Sequence, residues 1–154
     1  MLLQVSDLPA NFTLVEKTER NASEMRNWSL GQGWKKGYYA VYQLNDKSAR
    51  SGMVFEHVIS VYPAENISLI VPDTRGLMHN WSAEDKNMTV EELSLPTIGD
   101  SSCSFRVADS SDNTQWYQIA FAKNDVYMEL WTNGTATDYE TLKHLADTAV
   151  AKIR

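Results

Sequence analysis

Residues 115–132 read QWYQIAFAKNDVYMELWT, and their interpretation decides the fold. Two runs rich in aromatic and apolar residues, QWYQIAFA (115–122) and VYMELWT (126–132), flank the joint Lys123-Asn124-Asp125. Asn and Asp tolerate positive φ, so the joint predicts a β-hairpin and an antiparallel pair. Upstream, CSFRVA (103–108) alternates cleanly and puts Cys103, Phe105 and Val107 on one face of a third strand. TVEELSLP (89–96) predicts another, ending at Pro96. Further back, YYAVYQL (38–44) and MVFEHVISVY (53–62) predict two strands joined by the polar loop NDKSARSG (45–52). In the second of these, Met53, Phe55, His57, Ile59 and Val61 share one face, and Val54, Glu56, Val58, Ser60 and Tyr62 the other. FTLVEKT (12–18) alternates as a half-buried strand should.

Helical signals lie between these strands. Asn21 or Ser23 is expected to cap a short helix running to about Gly31, with Met25 and Trp28 on one face. The turn-rich GQGWKKG follows. Pro63 suits a helix start, and Pro72 is expected to end or kink the helix that begins in AENISLIV, leaving parts of 64–83 helical. The clearest helix is the last. Thr137 and Glu140 form a capping box, and Leu142, Leu145, Ala146, Ala149, Val150 and Ile153 follow helical spacing. Consecutive strands with short joints and no regular βαβ alternation predict an α+β fold. Its antiparallel sheet is covered by a few helices, and the C-terminal amphipathic helix lies on one face. Length fits a single domain over residues 1–154, with residues 1–10 a partly extended lead-in.

The chain carries a net charge of −6. Residues 78–154 hold 6 basic and 12 acidic side chains, against 8 and 8 in residues 1–77. This lacks the positive footprint that phosphate backbones and anionic lipids require, so nucleic acid is not an expected partner. One cysteine, Cys103, excludes an internal disulfide and a Cys-rich zinc site. No apolar run is long enough to span a bilayer, and MLLQVSDLP is too short and polar for a signal peptide.

Asn-x-Ser/Thr triplets are dense. They begin at Asn11, Asn21, Asn27, Asn66, Asn80, Asn87 and Asn133, which are 7 of the 10 asparagines. Ser and Thr number 25 of 154 residues, so chance supplies about 1.6 such triplets. The excess implies an exported glycoprotein of the cell surface or extracellular space, with these asparagines facing water. An export or anchor segment is then expected to precede residue 1.

Chemical motifs are weaker. GDSS (99–102) resembles the nucleophile block of one esterase class, with Ser101 or Ser102 attacking and His144 as base. The spacing around both differs from that class, and a tight turn accounts for the motif. The histidines His57, His79 and His144 lack metal-ligand spacing, so no metal or cofactor is expected. Cys103, on an apolar face, reads as a small hydrophobe. Tyr39, Trp116, Tyr127 and Trp131 are the candidate binding surface, because alternate strand positions put them on a common face.

Six stretches carry a resemblance: SDLPANFT, GWKKGYYAVY, ISVYPAEN, LPTIGDSSCSF, IAFAKNDVYMEL and TDYETLKHLADTAVAKI. Together the chain resembles exported bacterial and archaeal small domains, often lipoproteins, that are similar to the PsbP-type α-β-α sandwich. The resemblance implies a surface-tethered binding or assembly module without a family active site. Its lipid-anchor cysteine has no counterpart here. The expected function is therefore non-enzymatic binding of a protein or small-molecule partner at the cell surface. A small-molecule carrier with an aromatic-lined cavity is the first alternative, and a serine hydrolase the second.

Overall fold

A computed structural model describes residues 1–44, 54–133 and 139–154. The hairpin at 115–132 sits inside one antiparallel sheet of seven strands. These are β1 (Phe12–Arg20), β2 (Lys36–Leu44), β3 (Val54–Val61), β4 (Met88–Glu92), β5 (Ser101–Asp109), β6 (Thr114–Lys123) and β7 (Val126–Asn133). Their spatial order is β1-β2-β3-β7-β6-β5-β4. The hairpin joint turns at Asn124, whose φ is 58°. Helices α1 (Asn27–Gly31), α2 (Ile67–Glu84) and α3 (Tyr139–Ala151) complete the α+β fold. The loop 45–52, Met53 and Thr137 of the expected capping box lie outside the described residues.

The strands are apolar on both faces, so both must be covered. On one face, α3 lays Leu142, Leu145, Ala146 and Ala149 onto Ile119, Phe121, Met128 and Leu130. Ala146 and Ala149 let the helix approach the sheet closely. On the other face, α2 sets Ile70, Val71 and Met78 against Phe105, Val107, Ala120 and Tyr127. Helix α2 rests on β4, β5, β6 and β7, and α3 mainly on β6 and β7. Neither helix spreads over β1 and β2.

On the α3 side, the lead-in covers that gap. Within this lead-in Val5–Asp7 form a 3-10 turn between extended Gln4 and Leu8, and Leu3 and Leu8 are buried in the core with Tyr42 and Phe55. Tyr42 Oη donates to the Leu3 carbonyl at 2.5 Å, and the Leu3 amide donates to Nδ1 of His57 at 3.4 Å. Lys152 pairs with Asp7 at 2.9 Å and ties the end of α3 to the same segment.

Three elements differ from expectation. The helix expected from Asn21 to Gly31 is broken. Asn21 and Glu24 close a capping box on a 3-10 turn, Ala22–Glu24, and α1 starts only at Asn27. Pro72 does not end α2, which continues to Glu84. The amide it removes would bond the carbonyl of Ser68, which lies in an exposed turn open to solvent. Buried Ile70, Val71, Thr74 and Met78 hold the helix on both sides of the proline. Strand β4 stops at Glu92, well before Pro96.

His57 is fully buried, and burial pushes its pKa down to about 3. With Nδ1 accepting from Leu3, the neutral ring carries its proton on Nε2, which is buried without a partner among the described residues. The unfolded chain takes up a proton near the ordinary value of about 6.5, but the folded ring does not. Stability from this group is therefore complete above that pH and is lost as pH falls toward 3. Urea unfolding at pH 7 and pH 4.5 is expected to show a loss of a few kcal/mol, and His57→Leu to flatten that slope. An equal slope in both proteins would remove His57 as its source.

Candidate ligand-binding cavity

A cavity of about 710 Å³ opens on the α2 face. It occupies the part of that face that α2 leaves uncovered. Its sheet wall comes from β1, β2, β3, β7 and β6, its roof from α2, and its side from the 3-10 turn and α1.

A bulge makes the β1 wall. Pairing with β2 shifts between Leu14 and Glu16. Leu14 pairs with Tyr42, on the α3 face, whereas Glu16, Thr18 and Arg20 follow Val41, Tyr39 and Gly37 on the opposite one. The extra residue, Val15, thus re-aims the second half of the strand. Simple alternation from Phe12 misses this. Only Phe12 of this edge strand is buried.

The floor is polar and mostly buried. Thr74 of α2 lies 2.6 Å from the Tyr127 hydroxyl, which donates to Glu129 Oε1 at 2.5 Å. Trp131 Nε1 donates to the other oxygen, Oε2, at 3.2 Å. One phenolic proton cannot serve both neighbours. Thr74 Oγ1 also donates to the Ile70 carbonyl at 2.9 Å, so the two hydroxyl protons are shared among that carbonyl, the Glu129 carboxylate and the contact between the hydroxyls. This chain ties α2 to β7 and fixes the Glu129 carboxylate toward the cavity. Beside it, the Tyr62 hydroxyl meets Ser29 of α1 at 2.6 Å, and Trp34 Nε1 donates to Ser60 at 3.2 Å. Burial, reinforced by the Glu129 charge, raises the Tyr127 pKa well above its ordinary value. Burial and then Glu56 push Tyr39 up to about 12. Both phenols are neutral at physiological pH.

Two buried polar atoms in the lining have no partner among the described residues: Gln118 Oε1 and Trp28 Nε1. Gln118 is 1% exposed, so its amide is committed to the floor.

Of the four aromatics named from sequence, Tyr39, Tyr127 and Trp131 line the cavity. Trp116 lies on the same face in an adjoining hollow of about 210 Å³, shared with Trp81 and Trp131. Its ring centroid is 6.0 Å from that of Trp81. Trp28, Tyr62, Trp81, Gln118 and Glu129 also belong to the lining and were not singled out. The strand pattern held a signal for Tyr62, Gln118 and Glu129, because alternation puts them on the same face as Ser60, Trp116 and Tyr127 respectively. Nothing in the sequence joined Trp28 and Trp81 to them.

GDSS forms a turn. Gly99 has a φ of 67°, and a Cβ there would clash with the Ala122 carbonyl. Asp100 accepts from the Asn124 amide at 2.9 Å, and Ser102 Oγ from the Ile98 amide at 3.0 Å. No hydrogen bond among the described residues joins Ser101 or Ser102 to His144, which is exposed on α3. Cys103 is buried under α2, and burial pushes its thiol up to about 12. His79 bonds Glu92 at 3.2 Å, and Arg75 pairs with the same carboxylate at 2.8 Å. Among the described residues no cluster of three His, Cys, Asp or Glu can hold a metal ion.

Six triplet asparagines, Asn11, Asn21, Asn27, Asn80, Asn87 and Asn133, are exposed. Asn66 is half-buried at the start of α2, and its Nδ2 donates to the Gln32 carbonyl at 3.0 Å. Asn80 stands on the cavity rim.

No family model, curated protein or solved structure matches the chain.

Tyr127→Phe removes the central hydroxyl of the floor and leaves Thr74 and Glu129 each short of a partner. Thr74 keeps the Ile70 carbonyl and Glu129 keeps the Trp131 indole, so a loss of about 1–3 kcal/mol in urea unfolding is expected, the range for losing one neutral hydrogen bond and one to a carboxylate. An unchanged midpoint would mean the Thr74–Tyr127–Glu129 chain does not hold α2 down.

Proposed function

We propose that this chain is a non-enzymatic binding domain that holds a small organic molecule between α2 and the β1–β3 half of the sheet. The observation that carries the reading is the floor. Gln118 and Trp28 offer unpartnered polar atoms inside an aromatic hollow of ligand size, and ligand sites combine apolar walls with a few such convergent groups. A protein-docking surface would instead present its aromatics on a flat exposed patch. The floor hydroxyls Ser29, Ser60 and Thr74 are bonded to phenols or an indole, and no histidine stands in the lining to act as a base. That supports binding over hydrolysis.

The domain acts outside the cell, at the surface or in the medium, as a glycoprotein. The excess of triplets and the exposure of six of their asparagines support this. Asn66 is the exception, because its amide nitrogen is engaged in the fold. The helix–sheet–helix layering supports kinship with PsbP-type exported domains.

A neutral polarity-sensitive dye, N-phenyl-1-naphthylamine, is expected to bind one to one. Thr18→Trp, which fills the cavity from an exposed edge strand, is expected to weaken it at least tenfold. Equal binding by both proteins would place the dye elsewhere and remove the cavity as the site. Glycopeptide mapping of protein from its own cells is expected to find sugar on several of the six exposed asparagines and none on Asn66. Seven bare asparagines would end the glycoprotein reading.

A further inference from the structure

We infer that the ligand carries a protonated primary or secondary amine on an apolar or aromatic body, with the ammonium seated at Glu129 and Gln118. This rests on the cavity being the ligand site. Four carboxylates line it, Glu16, Glu24, Glu84 and Glu129, against two guanidinium groups, Arg20 and Arg26. Only Glu129 stands at the floor; Glu16, Glu24 and Glu84 are exposed on the rim. Its oxygens are held by two neutral donors, Tyr127 Oη and Trp131 Nε1. These orient the carboxylate without cancelling its charge. No Lys, Arg or His among the described residues lies within ion-pair distance of it. A half-buried anion is screened less than a surface one, so a cation brought to it gains more.

Gln118 sharpens the ligand class. It pairs in register with Trp131 on the neighbouring strand, two residues from Glu129, and its buried carbonyl oxygen needs a donor. An ammonium with N–H bonds supplies donors to both acceptors, whereas a quaternary ammonium supplies none. The rings of Tyr39, Tyr62 and Trp131 line the space around this point, and aromatic faces attract a desolvated cation. Arg20 and Arg26 stand on the β1 and α1 side, where they repel an amine and favour its placement toward β7. The unpartnered Trp28 indole lies on their side and offers a donor to the body of the ligand.

Three probes with one ring system separate the alternatives: tryptamine, tryptophol and indole-3-propanoate. Each is titrated into isotope-labelled protein at pH 7 while the Trp28 and Trp131 indole N–H resonances are followed. Tryptamine is expected to bind at least tenfold more tightly than tryptophol, with the propanoate weakest. Glu129→Gln is expected to bring tryptamine to within about twofold of tryptophol, both measured on that variant. The wild-type ranking decides the matter even if that variant folds poorly. Tryptophol or the propanoate binding as tightly as tryptamine would overturn the amine and leave the cavity as a ligand site. No shift of either indole by any probe would overturn both.

Discussion

A seven-stranded sheet is wider than any helix that can lie on it. At ordinary strand spacing the sheet is roughly 29 Å across, while a helix with its side chains is about 10–12 Å wide. One helix per face therefore covers two or three strands well and leaves the rest to other chain. Here both faces of the central strands are apolar, so each uncovered portion must be filled or roofed. The two faces meet this demand differently. Opposite α2, residues 1–10 turn inward, bury Leu3 and Leu8, and are bonded to Tyr42 and His57. On the α2 side, a five-residue helix and a 3-10 turn bridge the gap without filling it. One face is solid and the other is hollow.

The hollow is held open by polar chemistry. Apolar side chains meeting across it would draw the walls together. Its floor is instead built from paired hydroxyls, an indole-bound carboxylate and a buried amide. These are expensive to desolvate further, and most are satisfied as they stand. The bulge at Val15 adds the charged edge, turning Glu16, Thr18 and Arg20 toward the opening and leaving Leu14 on the other side. The cavity and its charge pattern thus follow from one register shift, one broken helix and one hydrogen-bonded chain from Thr74 to Glu129.

The sequence made the sheet legible because strand alternation is a local signal. The 115–132 hairpin, the Cys103–Phe105–Val107 face and the two faces of β3 all follow from period two. Helix α3 follows from its apolar spacing. Pro72 misled because local backbone cost was weighed without the tertiary burial of Ile70, Val71, Thr74 and Met78. The Asn21–Gly31 segment misled because Glu24 caps a 3-10 turn as readily as an α-helix. Three of the four named aromatics line one cavity, since period two put them on one face. Gln118 and Glu129 escaped notice because a polar residue in a strand reads as solvent-facing until its neighbour strands are known. Trp28 and Trp81 join the site only through the tertiary placement of α1 and α2.

The central claim is that the α2 face encloses a polar-floored hollow while the α3 face is packed solid. Cross-relaxation between bound water and the protein tests it most directly. Water signals are expected at the Gln118 side-chain NH2 protons, beside the buried carbonyl oxygen that has no partner among the described residues, and at the Trp28 indole proton. None is expected at Phe121 or Met128, which face α3. Dry Gln118 and Trp28 protons would contradict the account, because they would show α2 and α1 closed down onto the sheet.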